Sequence, residues 1–284
     1  MLDASVTLPD GRLLAYTDLG ASGGPVVIYF HGAPSTRLDL TSFEEAFAEC
    51  GVRAVSPDRP GYGGSSPQRG RRLHDWPSDV AALADHLDVE RFAVLGLSSG
   101  GPYAVACAAL LPDRVASAGS VAGETDFGWP GAWDGYPENE GELMRIGDEA
   151  GAVAWCEARY GPDGSGFMEG GLGELAEADQ AALQDEALAT TLMTTVGEAF
   201  RQGVGGYAQD ITLQGRPWSF DTAAIVAPVW ILHGEADTVV PVAHGRHTAE
   251  LIPTAKLLTW PDEGHISIFT KIPELAADLV ASLR

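Results

Sequence analysis

The stretch Gly96-Leu97-Ser98-Ser99-Gly100 lies between a short apolar run, Phe92 to Leu95, and an alanine-rich segment, Pro102 to Leu111. The run has the length of a buried strand, and the alanine-rich segment favours a helix. A G-x-S-x-G pattern at such a junction predicts a sharp strand-to-helix turn with a serine at its apex. The serine backbone must then be strained, and glycines at 96 and 100 leave room for neighbouring segments to pass. Ser98 is expected above the sheet, near the positive end of the following helix, where a nucleophile belongs. Ser99 is the rival, but Leu97 stands where the pattern would need its first glycine.

The same alternation recurs along the chain. Val6 to Tyr16 reads as two strands joined by Pro9-Asp10-Gly11, and Val26 to Phe30 is the continuous apolar run that a two-sided parallel sheet requires. Helical spacing over Leu38 to Cys50 leads to a strand at Val52 to Val55, and an amphipathic helix at Ser78 to Leu87 leads to the junction above. Val115 to Val121 is the next strand. From Gly123 to about Pro217 the chain turns acidic and rich in Gly and Trp, without strand-like runs. Helices are expected there at 143–160, 176–192 and 195–207. Strands resume at 228–234 and 256–260, with helices at 241–251 and 273–283. The pattern predicts an α/β fold, a mostly parallel sheet flanked by helices. Its core is 1–122 with 218–284, and 123–217 forms a helical cap or lid insert. Ligands in such sheets bind beyond the carboxyl ends of the strands, where the loops after Phe30, Val55 and Leu95 meet.

A chain of 284 residues with 45% apolar content can bury a large core. No apolar run is long enough to span a bilayer and the start lacks a signal-peptide pattern, so no membrane attachment is expected. The three cysteines, Cys50, Cys107 and Cys156, are odd in number and widely spaced, which fits a reducing, cytoplasmic location. A net charge of −23 argues against nucleic acid or an anionic membrane as partner, leaving a small-molecule substrate. Residues 124–217 carry 18 acids and 4 bases, read here as a solvated surface. Oligomeric state is left open by the sequence. No metal-ligand spacing or nucleotide-binding glycine motif is present, so no metal or cofactor is expected.

A serine hydroxyl needs a base to take its proton and a third group to orient that base. Asp237 lies just past the strand ending His233-Gly234, and His265 lies in the loop past the next strand. Ser98, Asp237 and His265 are therefore the expected catalytic residues, in the chain order acid then histidine. Glu124, after the preceding strand, and Glu235 are the alternative acids. The oxyanion of a tetrahedral intermediate would be held by the backbone N–H of Ser99 and of Ala33, since Pro34 has none to give. Asp58-Arg59 is expected to brace the site through hydrogen bonds. Trp129, Trp133 and Tyr207 are candidate substrate-binding aromatics, although packing inside the insert is the expected role for most of its aromatic residues.

These residues resemble the α/β-hydrolase fold family, its serine-nucleophile, esterase- and lipase-like branch. The resemblance rests on His31-Gly32-Ala33-Pro34, Asp58 to Ser65, Gly96 to Gly101, His233 to Asp237 and Gly264-His265. It implies an eight-stranded sheet with the helical cap inserted after the sixth strand. It also implies the Ser98–Asp237–His265 triad. The loop after Phe30 and the Asp58 loop look like those of epoxide hydrolases and haloalkane dehalogenases, but those enzymes need an aspartate where Ser98 stands. The expected activity is cofactor-free hydrolysis of a carboxylic ester or lactone of a small, mostly apolar molecule, a carboxylesterase-type reaction. Carbon–carbon bond hydrolysis, acyl transfer, or a ligand receptor retaining the triad are the alternatives.

Overall fold

The computed structural model describes residues 1–170 and 175–283. Eight strands form one sheet: β1 (Leu2–Thr7), β2 (Leu13–Gly20), β3 (Val26–Phe30), β4 (Arg53–Pro57), β5 (Phe92–Leu97), β6 (Val115–Val121), β7 (Val229–Gly234) and β8 (Ala255–Trp260). Their spatial order is β1-β2-β4-β3-β5-β6-β7-β8. The β1–β2 and β2–β4 pairs are antiparallel and every other pair is parallel. Every residue of β3, β5 and β6 is buried, as helices on both faces demand.

Helices α1 (Glu44–Glu49), α2 (Trp76–His86) and α3 (Gly101–Leu110) connect the first six strands. Helix α3 is apolar on nearly every side and runs buried behind the sheet centre, where it has no solvent face to mark with charge. Between β6 and β7 come α4 (Glu138–Met144), α5 (Glu149–Tyr160), α6 (Glu177–Ala182), α7 (Glu186–Ala199) and α8 (Gly205–Gln214). Helices α9 (Val242–Leu251) and α10 (Ile272–Leu279) complete the pattern. No described helix is long and apolar enough to cross a membrane.

Helix boundaries in the inserted stretch differ from the expected ones. The helix anticipated over 143–160 is two, because Asp148 accepts the Gly151 N–H and starts a new helix there. That over 176–192 is also two, broken where Asp185 accepts the N–H groups of Ala187 and Leu188. Helix α7 then runs on to Ala199 and α8 begins only at Gly205.

Three apolar clusters hold the molecule together. Two flank the sheet, and a third joins α4, α5, α7 and α8 around Phe127, Tyr136, Phe200, Tyr207 and Ile211. Each large side chain buried in these clusters is worth roughly 1.5–3 kcal/mol.

Candidate active site

Ser98 sits at the end of β5 with φ +53°, a left-handed conformation that costs a non-glycine residue about 1–3 kcal/mol. The strain is held by close packing. A Cβ on Gly96 would lie 2.0 Å from the Gly100 carbonyl oxygen, and one on Gly100 would lie 2.1 Å from that of Phe30. Only glycine fits either place, which is why the pattern brackets the serine.

The loop after β3 closes over this turn. His31 is enclosed, and burial with the nearby Arg59 guanidinium holds its imidazole well below the ordinary histidine range, hence neutral. Its Nδ1 donates to the Gly32 carbonyl at 2.7 Å while its Nε2 accepts the Arg59 N–H at 3.1 Å, so the partners select the Nδ1–H tautomer. Arg59 Nη2 donates to the same Gly32 carbonyl at 2.9 Å. In a planar trans peptide the carbonyl of one residue and the N–H of the next point opposite ways. Fixing Gly32 C=O toward Arg59 therefore turns the Ala33 N–H away from it.

The loop after β7 carries Asp237 and the loop after β8 carries His265. Asp237 Oδ2 lies 2.8 Å from His265 Nδ1, while Oδ1 accepts the backbone N–H groups of Val239 and Val240, each at 2.8 Å. Burial alone would raise the Asp237 carboxyl, but His265 and His233 hold it below the usual carboxylate range. Burial opposes charge on His265, yet Asp237 outweighs it and raises the imidazole above its ordinary value.

Ser98, Ser99, Ala33 and His265 all line one cavity of about 410 Å³. Its far walls are apolar side chains from the inserted helices, among them Phe167, Met168, Leu183, Leu192 and Val196. Asp39, Glu124 and Glu140 also line it, and among the described residues no Lys or Arg does. Burial pushes Glu124 up to about 7 and Asp39 to about 6. Glu124 Oε1 accepts the Ser99 hydroxyl at 3.0 Å rather than reaching His265 Nδ1, which Asp237 occupies.

Of the expected aromatics, Trp129, Trp133 and Tyr207 do not line the cavity. Trp129 stacks on His247 at 4.1 Å between ring centroids, and Arg145 covers Trp133 at 4.1 Å. Tyr207 is enclosed among Tyr160, Phe167 and Phe200. Tyr207 belongs to the core of the inserted helices, while the half-buried Trp129 and Trp133 pack against that cluster, Trp129 bridging it to α9.

Two contacts escaped the sequence reading. Asp210 of α8, fully buried, accepts from Arg59 Nη2 and Arg71 Nη2, each at 2.8 Å, and from Tyr62 and Tyr103. Burial would raise its carboxyl, but the two guanidinium groups hold it below the usual range. Its stretch, Ala208-Gln-Asp-Ile-Thr-Leu213, is half polar and gives no local signal of burial. Asp179 of α6 is likewise buried, against the His265 loop, and its stretch Glu177-Ala178-Asp179-Gln180 reads locally as an ordinary acidic helix start. The acidity of the insert is therefore partly internal rather than a solvated face.

Sheet order, strained turn and enclosed strand-end cavity define the hydrolase class of α/β proteins. The chain belongs to the alpha/beta hydrolase fold family, whose model matches residues 25–272. It is 28% identical to a non-heme chloroperoxidase from Streptomyces lividans, with 99% of both chains covered. Identity is also 28% to a bifunctional esterase/perhydrolase from Acinetobacter calcoaceticus, covering 98% of this chain and 99% of that one. Among solved structures, a thermophilic esterase from Thermogutta terrifontis shares the fold with a TM-score of 0.72 at 24% identity, covering 100% of this chain and 98% of the other.

Proposed function

We propose that the chain hydrolyses a carboxylic ester or lactone of a small, mostly apolar and uncharged molecule through an acyl-enzyme on Ser98. The observation that carries this reading is that Ser98 and His265 line one cavity while His265 Nδ1 lies 2.8 Å from Asp237. Asp237 accepts a hydrogen bond from Nδ1–H, which holds the proton on that nitrogen and leaves the Nε2 lone pair free to act as base. His265 takes the Ser98 hydroxyl proton as Oγ attacks the carbonyl carbon, and the oxyanion is held by the N–H groups of Ala33 and Ser99. Collapse passes that proton to the departing alcohol oxygen. Water then repeats the sequence on the acyl-enzyme and releases the acid.

The helices between β6 and β7 act as a cap over this site, supplying the apolar wall that receives the substrate's hydrocarbon part. Three acids line the cavity and, among the described residues, no Lys or Arg does, which disfavours a substrate bearing a carboxylate. Ser98→Ala is expected to abolish turnover of p-nitrophenyl butyrate while leaving the melting temperature within a few degrees of wild type. Retained turnover rejects the assignment.

A second reading is favoured by one observation, the end-to-end match to an esterase/perhydrolase. In it hydrogen peroxide replaces water on the same acyl-enzyme, giving its proton to His265 and leaving as the peracid. Peracid formation from an ester plus peroxide, lost in Ser98→Ala, is the corresponding test.

A further inference from the structure

The inserted helices do more than roof the cavity. Asp179 Oδ2 accepts the His265 backbone N–H at 3.0 Å, and Oδ1 accepts those of Ile266 and Ser267 at 2.9 and 2.8 Å. These three donors open the 3-10 helix Ser267–Lys271, which runs straight into α10. The N–H groups at such a start have no partner within their own helix, so Asp179 supplies a cap from 86 residues away. Its carboxylate is wholly enclosed and its position is matched by its neighbour. A Cβ on Gly264 would come within 2.4 Å of Asp179 Oδ2, so the glycine before His265 leaves the space that the carboxylate fills.

Resting on the reading of His265 as the base, we infer that Asp179 is a positioning residue that sets the place of His265 and biases it electrostatically, making the active site complete only when α6 is docked. Three charge-assisted hydrogen bonds fix the backbone of 265–267, and with it the root of the imidazole. A misplacement of about 1 Å at a reacting group can cost roughly 10²-fold in rate. The charges facing the ring come from four places: Asp237 after β7, Glu124 after β6, Glu140 on α4 and Asp179 on α6. Asp179 adds to the field that favours the imidazolium, behind the dominant Asp237.

The test compares Asp179→Asn and Asp179→Glu with wild type. Turnover of p-nitrophenyl butyrate is followed from pH 5 to 9 and normalised to sites titrated by a fluorophosphonate. In Asp179→Asn the charge is lost and one oxygen acceptor becomes an N–H₂ facing N–H donors. The expected result is a kcat per titrated site lower by about 10–10²-fold. KM should change little, and the acid limb of kcat/KM should move to lower pH by roughly half a unit to one. Asp179→Glu keeps the charge but displaces it by a methylene, so kcat falls while the acid limb stays near its wild-type pH. A purely structural role would reduce the titratable fraction and leave kcat per site and the limb unchanged, which overturns the inference. If Asp179→Asn yields no folded protein, wild-type kcat per site in Asp179→Glu overturns it equally. Failure of the catalytic reading shows itself separately, as turnover that survives His265→Ala in the wild-type background.

Discussion

Arg59 Nη2 donates to the Gly32 carbonyl at 2.9 Å while the same guanidinium is pinned by Asp210 of α8 at 2.8 Å. The peptide that should present the Ala33 N–H to an oxyanion is thus oriented by a side chain that the inserted helices hold in place. A lysine at this position cannot serve the His31 and Gly32 carbonyls and the Asp210 carboxylate together, as the planar guanidinium does. Arg59→Lys is expected to lower kcat by about 10²-fold, the scale of losing one oxyanion donor. Turnover per fluorophosphonate-titrated site is the measurement, and an unchanged value contradicts this role for Arg59.

Asp237 selects the tautomer of His265. Asp237→Asn keeps the size of the side chain but can offer an N–H₂ to Nδ1, which favours the wrong ring proton. A fall in kcat of about 10³–10⁴-fold is expected. Loss of the Asp237 charge also lowers the imidazole's affinity for a proton, so the residual activity should persist to lower pH than in wild type. Equal acid limbs in the two proteins would contradict the pairing.

Burial raises Glu124 from 4.5 to about 7. Between those values the folded chain holds a proton that the unfolded chain has released, so this group makes stability fall as pH rises. Glu124→Gln removes that dependence. Relative to wild type it should gain on the order of 1–3 kcal/mol between pH 4 and pH 8. Denaturant unfolding at both pH values measures the difference; a gain of the opposite sign would mean the carboxylate is favoured in the fold.

The cavity wall carries Asp39, Glu124 and Glu140 and, among the described residues, no Lys or Arg. Matched p-nitrophenyl esters with neutral and carboxylate-terminated acyl chains should therefore differ in kcat/KM by about tenfold or more, the neutral one being preferred. Raising salt should narrow the gap only slightly, because an enclosed field is poorly screened. Equal rates would remove charge as a source of selectivity.

Strand identity was legible because β3 and β5 are buried on both faces and so read as unbroken apolar runs, Val26–Phe30 and Phe92–Leu95. The turn at Ser98 was legible because its two glycines are demanded by local packing. Helix ends in the insert were not, since single side-chain caps such as Asp148 and Asp185 decide them within otherwise continuous helical sequence. The contacts that tie the insert to the site lie furthest from local reading. Arg59 and Asp210 are 151 residues apart, and Asp179 and His265 are 86. An aspartate destined for full burial among donors is written with the same letter as one on a wet surface. Composition alone does not separate a packing aromatic from a cavity-lining one: Trp129, Trp133 and Tyr207 pack against His247, Arg145 and other rings and do not line the cavity.

Ser98 should owe its reactivity as a nucleophile to the imidazole at 265. Peptide mapping by mass spectrometry after a fluorophosphonate treatment at pH 8 reads this directly. The adduct is expected on Ser98 alone, at one per chain, and its formation should slow by about 10³-fold or more in His265→Ala. An adduct on another residue, or labelling of Ser98 at the same rate without His265, would contradict the account.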